Sequence, residues 1–519
     1  MTAAAEDEAR DRARRLGLES GLTVQEMGYD DDVDLVLRAG IEEAIGGELV
    51  DARGGRTMQV VDPGNGQVFA QVPCCDRDDV DAAVRAARAA FDSGVWSALS
   101  QDERSRVIMD FSDRLTKYIV RIASYESMDS GGIINRTGAE VVGASMTARN
   151  MAWYAAREFK WHEEVRVPAS LASPGRNYIR REPLGVCVGI IPWNFPFGMA
   201  MWKILHAAIM GNSIVLKPAS DTTLSALILA EVIAESAIPR GVVNIVTGPG
   251  GEIGEALCLS PKVDKIAFTG STEVGRQIKK MGSETIKKVT LELGNNAPVI
   301  VEPDADLDVV VPKLRTGGFL YSGQTCIAIQ RIYAHSDIHD ELLERLKAEV
   351  EQIITGDPLD HDTEVSALIE SGETDRVEGW IEDAVRAGAT RVTGGGRNHD
   401  GAVLMPTVLA GVTPDMEVSK TELFGPAVGV ASYDTFDEAV GMANNSRYGL
   451  QASVFTSSLQ RAMEAAKRID FGSVLINEQP NWRTDQMPYG GVRDSGNTKE
   501  GPPYAVEEMT RERLIIIRT

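Results

Sequence analysis

Cys326 lies in a run of small and polar residues, Ser322-Gly323-Gln324-Thr325-Cys326-Ile327, just ahead of an apolar stretch. A thiolate is the side-chain nucleophile that is least weak near neutral pH, and a neighbouring glycine lets a substrate approach closely. A lone cysteine is nevertheless more commonly a small buried apolar residue. Two further segments, Pro192-Trp193-Asn194-Phe195-Pro196 and Leu291-Glu292-Leu293-Gly294, supply an amide and a carboxylate. The presence of these two segments in the same chain, and not the thiol alone, indicates a catalytic cysteine.

Composition limits the class of protein. The chain has 519 residues, so two or three domains are expected. Its formal net charge of −23 opposes binding to nucleic acid and to an anionic membrane surface. The five cysteines have an odd count and no repeated spacing, which predicts reduced thiols and a cytoplasmic location. No apolar run approaches the roughly 20 residues of a membrane span, and the absence of a zinc-type Cys/His cluster predicts no metal site.

Apolar strands alternate with helices through most of the chain. The first predicted series begins with a strand at Val186–Ile191 and a helix at Gly198–Met210, and it ends with a helix at Glu273–Met281. A second series begins near Val289 and ends near Asn477. Strands that are apolar on both faces and joined by helices are typical of parallel, doubly wound sheets. The pattern therefore predicts an α/β fold with two such sheets.

Two glycine-containing loops join a strand to a helix in the first series. Gly248-Pro249-Gly250-Gly251 follows the strand Val242–Val246, and Gly270-Ser271 follows the strand Lys265–Phe268. Glycines at this position let phosphate oxygens reach backbone N–H groups at the positive end of a helix. Lys217 follows another strand, at the edge where open α/β sheets bind ligands. These features favour a dinucleotide site.

Six motifs together resemble those of the aldehyde dehydrogenase superfamily. In chain order they are Pro192-Trp193-Asn194-Phe195-Pro196, Lys217-Pro218-Ala219, Phe268-Thr269-Gly270-Ser271, Leu291-Glu292-Leu293-Gly294, Gly323-Gln324-Thr325-Cys326 and Glu422-Leu423-Phe424-Gly425-Pro426. The resemblance covers roughly Gly46 to Thr519. It implies an aldehyde-dehydrogenase-like α/β fold, with two doubly wound parallel-sheet domains and a small β oligomerisation element.

The resemblance also implies a reaction, the oxidation of an aldehyde to the free carboxylic acid with hydride transfer to NAD(P). Cys326 attacks the carbonyl as a thiolate, and the Asn194 amide and the Cys326 backbone N–H stabilise the oxyanion. Loss of the hydride leaves a thioester, which water activated by Glu292 hydrolyses. A glutamate in a partly desolvated cleft is expected to have a raised pKa, as this task requires.

The cofactor implied by the resemblance is NADP or NAD. Many NAD-preferring members have a glutamate at the position of Ser220, where a carboxylate would repel a 2′-phosphate. Serine removes that charge while Lys217 supplies a positive one, so NADP is favoured. The cofactor-binding residues implied are Ile191, Pro192, Trp193, Lys217, Ser220, Gly250, Gly254, Gly270, Ser271, Gly275, Leu293, Glu422 and Phe424.

The substrate is predicted to lie in an apolar to aromatic channel. The resemblance places Phe195, Met199, Trp202, Thr325, Ile327 and Arg483 along it. The stretch Trp482–Gly491 resembles the branch that contains lactaldehyde and non-phosphorylating glyceraldehyde-phosphate dehydrogenases. Arg483 could then pair with an anionic or hydroxyl group of the substrate. The alternative is that Arg483 contacts Asp485 or backbone and only orders the loop.

The predicted domain organisation has four parts. Residues 1–24 form an N-terminal extension, residues 25–162 and 182–290 a dinucleotide-binding domain, and residues 291–497 a catalytic domain. Residues 163–181 and 498–519 are expected to form an oligomerisation hairpin and a terminal strand. The apolar terminal run, Leu514–Ile517, would seek a partner edge, such as that of another subunit. The resemblance to the family implies a homodimer or homotetramer.

Three other readings of the same residues stay open at this point. In a CoA-acylating enzyme, CoA would resolve the thioester, although Glu292 would then have no need to act as a base. A thiol esterase without redox chemistry would have no use for the glycine loops or for Glu422-Leu423-Phe424-Gly425-Pro426. A non-catalytic derivative would have no reason to retain Cys326, Glu292 and Asn194 together.

Overall fold

The structure is a computed structural model that describes residues 43–46, 48–166 and 175–518. The expected extension at residues 1–24 lies outside the described residues, as do residues 167–174 of the expected hairpin. No helix in the described part of the chain is long and apolar enough to cross a membrane.

The strands and α-helices alternate over most of the chain. In chain order, the strands are β1 (Glu43–Ile45), β2 (Glu48–Val50), β3 (Thr57–Val61), β4 (Val68–Pro73), β5 (His162–Glu164), β6 (Gly175–Pro183), β7 (Val186–Ile190), β8 (Ser213–Lys217), β9 (Val243–Ile245), β10 (Lys265–Thr269), β11 (Lys288–Glu292), β12 (Ala297–Val301), β13 (Ile329–His335), β14 (Thr390–Thr393), β15 (Arg397–Asn398), β16 (Val403–Leu404), β17 (Thr407–Ala410), β18 (Ala427–Tyr433), β19 (Gln451–Phe455), β20 (Ser473–Ile476) and β21 (Thr510–Arg518). The α-helices are α1 (Arg77–Asp92), α2 (Gln101–Leu115), α3 (Ile119–Ser130), α4 (Ile134–Arg157), α5 (Pro196–Ile209), α6 (Leu224–Ala234), α7 (Glu255–Leu259), α8 (Thr272–Ser283), α9 (Leu307–Phe319), α10 (His339–Val350), α11 (Ser371–Arg386), α12 (Glu417–Lys420), α13 (Phe436–Asn444), α14 (Leu459–Arg468) and α15 (Ala505–Glu508).

The first large sheet has the order β11-β10-β7-β8-β9-β1-β2. Its strands from β11 to β9 are parallel, and β7 and β8 are buried along their whole length. Continuous burial on both faces explains their uninterrupted apolar sequences. Because these strands are parallel, the loops that follow β10, β7, β8 and β9 emerge at one edge. The strand β11 reaches Glu292, so this sheet extends past the domain boundary expected at residue 290.

The second large sheet has the order β14-β17-β18-β13-β12-β19-β20. All its pairs are parallel except β14 with β17. The first sheet likewise ends in antiparallel strands, since β1 pairs antiparallel with both β9 and β2. The departures from the predicted parallel pattern are therefore confined to the ends of the two sheets, and β1 and β2 are joined by too few residues for a parallel crossover. The prediction of two doubly wound α/β sheets is otherwise confirmed.

A three-stranded antiparallel sheet with the order β21-β6-β5 combines the predicted hairpin with the predicted terminal strand. Nine residue pairs join β21 to β6, so the terminal strand finds its partner edge within its own chain. The side chains of Leu514, Ile516 and Ile517 remain 57%, 54% and 46% exposed. The sheet therefore presents apolar side chains to solvent even after the intramolecular pairing.

Candidate active site

A cavity of about 380 Å³ contains the three residues expected to perform the chemistry, Cys326, Glu292 and Asn194. The same cavity is lined by all six residues predicted to contact the substrate, Phe195, Met199, Trp202, Thr325, Ile327 and Arg483. Residues that are far apart in the sequence therefore line the same cavity.

The loop ahead of Cys326 has an unusual backbone. Tyr321, Ser322 and Gly323 have consecutive positive φ angles of 52°, 54° and 72°. Such values are costly for residues with a side chain and are retained where the surroundings enforce them. A Cβ on Gly323 would lie 2.1 Å from the carbonyl oxygen of Gly425, so only glycine fits there. The loop thus turns sharply and delivers Cys326 to the cavity.

The Cys326 side chain is partly exposed, but it faces the cavity. Burial raises the pKa of this thiol to about 12, a hydrogen bond from Tyr489 lowers it, and the carboxylates of Glu422 and Glu292 raise it further. The Tyr489 hydroxyl lies 2.9 Å from Cys326 Sγ. The Cys326 thiol therefore needs a neighbouring group that stabilises its anion if it is to ionise at neutral pH.

Glu292 ends β11 and is buried, and neither carboxylate oxygen has a hydrogen-bond partner among the described residues. Burial raises the pKa of this carboxyl well above its ordinary value, and Glu500 raises it further, whereas Lys203, Lys499 and Arg483 lower it. An unpartnered buried carboxyl that faces a cavity is suited to accept a proton from a water molecule.

Asn194 follows β7, and α5 begins two residues later with Pro196 at its first position. Its Nδ2 atom donates to the Gln324 carbonyl at 2.8 Å, which leaves the second N–H of the amide free for an oxyanion. The Asn194 carbonyl accepts from Arg136, whose guanidinium lies 4.1 Å from the ring centroid of Tyr321. Arg136 therefore connects the Asn194 loop to the Cys326 loop.

Arg483 also lines the cavity and lies between two aromatic rings. Its guanidinium carbon is 4.2 Å from the ring centroid of Trp202 and 4.3 Å from that of Tyr489. Its Nη2 atom is buried and has no hydrogen-bond partner among the described residues. Asp485 instead accepts from Thr147 Oγ1 at 2.7 Å. The alternative contact between Arg483 and Asp485 is not present among the described hydrogen bonds and ion pairs.

The predicted cofactor residues follow adjacent parallel strands. Lys217 ends β8, the glycines Gly250 and Gly254 follow β9, and Gly270 with Ser271 follows β10. The Ser271 side chain caps α8, and a Cβ on Gly250 would meet no atom within 4 Å. A glycine loop with open space above it and a helix beginning beside it fit the phosphates of a dinucleotide.

Lys217 is buried, and burial lowers the pKa of its amino group to about 8. Its Nζ atom donates to the Pro218 carbonyl at 2.8 Å, and two further N–H groups can reach a ribose or phosphate. Ser220 Oγ donates to the Gly248 carbonyl at 3.1 Å. Ser220 therefore lies beside the glycine loop, as a residue that reads the adenosine ribose would.

Glu422 and Phe424 precede β18 of the second sheet, and Trp193 follows β7 of the first sheet. Glu422 accepts from the Asn295 backbone N–H at 2.9 Å, and burial raises the pKa of its carboxyl to about 8. The rings of Trp193 and Phe424 meet edge to face, with centroids 5.4 Å apart. A Cβ on Gly294 would lie 2.3 Å from Glu422 Oε2, so the glycine of the Glu292 motif makes room for this carboxylate.

The remaining predicted cofactor residues connect the two regions. Pro192 and Leu293 line the cavity, and the Ile191 N–H donates to the Lys217 carbonyl at 3.2 Å. A Cβ on Gly275 would lie 2.5 Å from Leu293, which shows how closely α8 packs there. Two of the predicted cofactor residues thus belong to the catalytic cavity itself.

Sequence reasoning did not single out Tyr489, Asn481, Lys203 or Glu500. Tyr489, Asn481 and Glu500 line the cavity, and Glu500 forms a buried ion pair with Lys203. Lys203 carried a usable signal, because it interrupts an otherwise apolar helix in Met201-Trp202-Lys203-Ile204-Leu205. The others had no comparable signal, since their role depends on contacts far along the chain.

Comparison with known proteins agrees with this arrangement. A model of the aldehyde dehydrogenase family matches residues 49–515. A 3-sulfolactaldehyde dehydrogenase of Priestia aryabhattai is 39% identical over 463 residues, which cover 89% of this chain and 94% of that protein. A mutant of an aldehyde dehydrogenase from Bacillus cereus has a TM-score of 0.90 and 35% identity, covering 94% of this chain and 98% of that one.

A betaine aldehyde dehydrogenase from Staphylococcus aureus, solved in complex with NAD+, has a TM-score of 0.90 and 30% identity, covering 94% of this chain and 97% of that one. The match of the family model over most of the chain and the similarity of the relatives lead to one conclusion. The chain belongs to the aldehyde dehydrogenase family and oxidises aldehydes to carboxylic acids with NAD or NADP.

Proposed function

We propose that Cys326, Glu292 and Asn194 perform this oxidation on a small aldehyde that carries an anionic group. Cys326 attacks the carbonyl carbon, and the free Asn194 N–H with the Cys326 backbone N–H binds the resulting oxyanion. The bound nicotinamide supplies a hydride acceptor. Glu292 then takes a proton from the water that hydrolyses the thioester. The observation that carries the substrate class is the Arg483 Nη2 atom, which is buried without a hydrogen-bond partner among the described residues, in the same cavity as Cys326.

Arg483 is a cationic residue that lines the cavity and forms no ion pair with a described residue. Glu140 pairs with Arg136, and Glu500 pairs with Lys203, so two of the cavity carboxylates already have cationic partners. Burial of Glu292 favours its neutral form. A buried guanidinium atom without a partner is unfavourable, and an anionic substrate group would satisfy it.

Asn481 adds a second polar side chain to the lining of the cavity. Both its Nδ2 and its Oδ1 atoms are buried without a hydrogen-bond partner among the described residues. An amide can donate and accept at once, so it suits a hydroxyl group beside the anion. The 3-sulfolactaldehyde dehydrogenase that this chain resembles is named for an aldehyde with a sulfonate group. That name supports a sulfonate, carboxylate or phosphate as the anionic group here.

The substitution Arg483→Gln is expected to raise KM for an anionic aldehyde about tenfold to a hundredfold, because a hydrogen bond to a charged group contributes about 1.5–3 kcal/mol. The matched neutral aldehyde should change by less than about threefold. Steady-state kinetics with succinic semialdehyde and butanal measure both effects. Arg149→Gln is the control, since Arg149 pairs with Asp113 on an exposed face. An equal rise in KM for both aldehydes would show that Arg483 only orders its loop.

We also propose that NADP is the preferred cofactor, because Ser220 places no negative charge beside the glycine loop. Ser220→Glu is expected to weaken NADP+ binding about tenfold or more and to change NAD+ binding less, since only NADP+ carries the 2′-phosphate. Titration of tryptophan fluorescence gives the two dissociation constants without turnover. Ser283→Glu adds the same charge at the exposed end of α8 as a control. An unchanged ratio of the two constants would contradict the proposal.

The domain division, the oligomeric state and the location are proposals of the same kind. We propose a division into residues 1–24, residues 25–162 with 182–290, residues 291–497, and residues 163–181 with 498–519. The strand β11 ends at Glu292, just past the boundary at residue 290. The exposed apolar side chains of β21 support a homodimer or homotetramer. None of the five cysteines forms a disulfide, which supports a cytoplasmic location.

A further inference from the structure

We propose that the Tyr489 hydroxyl is a catalytic donor to Cys326 Sγ, which it stabilises as the attacking thiolate and again as the leaving thiolate. The proposal rests on the proposed role of Cys326 as the nucleophile. Its basis is a direct contact with the reacting atom, because Tyr489 Oη lies 2.9 Å from Cys326 Sγ. The aldehyde-oxidising activity itself does not assign this tyrosine a role.

The hydroxyl of Tyr489 is aimed at the sulfur by its own surroundings. The residue is buried, and its backbone exchanges two hydrogen bonds with Glu500, at 3.0 Å and 2.6 Å. The guanidinium of Arg483 covers one face of the ring at 4.3 Å from its centroid. The next residue, Gly490, has a φ of 155°, and a Cβ there would lie 2.7 Å from Glu292 Oε1. The tyrosine is therefore fixed relative to both the nucleophile and the base.

The charged groups that face Cys326 do not by themselves favour a thiolate. The carboxylates of Glu292 and Glu422 oppose ionisation of the thiol, and the Arg483 guanidinium favours it. Burial adds the largest opposing contribution. Tyr489 offers a neutral donor at hydrogen-bond distance, which can stabilise the anion without adding a second charge to the cavity.

The direction of the hydrogen bond decides its effect. A thiol is a weak donor, so in the neutral state the contact contributes little. After ionisation the phenolic O–H donates to a charged acceptor, and such hydrogen bonds are roughly twice as strong as neutral ones. The same contact raises the pKa of Tyr489, after the larger effect of its burial, so the phenol keeps its proton. The contact therefore favours the thiolate over the thiol.

Bonds and electron pairs balance in the steps in which the Tyr489 hydroxyl acts. Ionisation breaks the S–H bond, leaves the electron pair on sulfur and releases the proton to solvent. Attack uses that pair to form the C–S bond, and the carbonyl π pair moves to oxygen. In the hydrolysis, collapse of the water adduct re-forms the C=O bond, breaks the C–S bond and returns the pair to Sγ. The Tyr489 O–H faces the sulfur at both moments and keeps its own proton.

The test is alkylation of Cys326 by iodoacetamide, measured by peptide mass spectrometry without aldehyde or nucleotide. Tyr489→Phe keeps the ring that stacks on Arg483 and removes only the hydroxyl. At neutral pH the alkylation rate is expected to fall about tenfold to a hundredfold, and the inflection of its pH profile should move to higher pH. Tyr118→Phe removes a hydroxyl that donates to Glu235, away from the cavity, and should leave the profile unchanged.

An unchanged or faster alkylation of Cys326 in Tyr489→Phe would overturn the proposal, since the hydroxyl would then be neutral or would shield the thiol. Failure of wild-type Cys326 to react at all would instead count against its role as the nucleophile. If Tyr489→Phe unfolds, global replacement of tyrosine by fluorotyrosine gives a second measurement. A fluorinated phenol is a stronger donor, so alkylation should become faster, and no change would overturn the proposal.

Discussion

Cys326→Ala is expected to lower kcat/KM for every aldehyde by about 10⁴-fold or more, because removal of a nucleophile abolishes the covalent pathway and leaves only binding and oxyanion stabilisation. The side chain is small and borders a cavity, so its truncation creates little new empty space. The variant should therefore fold and bind NAD(P)+ as the wild type does. Formation of the reduced nucleotide, followed by its absorbance, measures the loss.

Cys258→Ala is the matched control for this prediction. Cys258 is a buried thiol in the core beneath the first sheet, and it does not line the cavity. Its removal should leave turnover within about threefold of wild type. Mass spectrometry after incubation with an aldehyde should find the acyl group on Cys326. Substantial turnover by Cys326→Ala, or acylation at another residue, would exclude Cys326 as the nucleophile.

Most of the fold could be predicted from the sequence, because a strand that is buried on both faces is apolar along its whole length. Strands such as β7 and β8 are apolar throughout because they are covered on both faces. The antiparallel pairing of β1 with β2 and β9, and of β14 with β17, was not predicted, because apolar content indicates that a strand is buried and does not indicate its direction. The pairing of β21 with β6 was also open, since an apolar terminal strand can find its partner edge in either the same or another chain.

Some features of the candidate site could likewise be predicted from short motifs, whereas others depend on contacts between residues that are far apart in the chain. Cys326, Glu292 and Asn194 lie in short motifs, so their residue types and neighbours are readable in sequence. The contact of Tyr489 with Cys326 joins residues 163 positions apart, and the ion pair of Lys203 with Glu500 joins residues 297 apart. Single-sequence patterns do not encode such separations. The contacts that surround each catalytic group therefore could be identified only in the folded structure.

Glu292→Gln is expected to leave the first turnover largely intact and to lower the steady-state rate about 10²- to 10⁴-fold, the range for loss of a general base. The amide occupies the same space but cannot accept a proton from water, so the thioester on Cys326 should accumulate. Rapid mixing should show a burst of about one reduced nucleotide per site. Mass spectrometry of the quenched enzyme should show the acyl adduct on Cys326. Glu349→Gln, which removes a carboxylate near Arg315, is the control.

The pH dependence of the wild type tests the same base independently. Burial raises the pKa of Glu292, and only its ionised form can accept the proton. The rate of thioester hydrolysis should therefore fall as pH decreases through this raised pKa, at a higher pH than the ordinary value of about 4.3 for glutamate. Glu292→Gln should lack this limb of the profile. A Glu292→Gln variant with wild-type steady-state turnover would exclude the residue as the base, and recovery of turnover only with added CoA would favour the acyl-transfer alternative. Because the Glu292 carboxylate has no hydrogen-bond partner among the described residues, while Glu500 is paired with Lys203, the profile should follow Glu292 and not its neighbour.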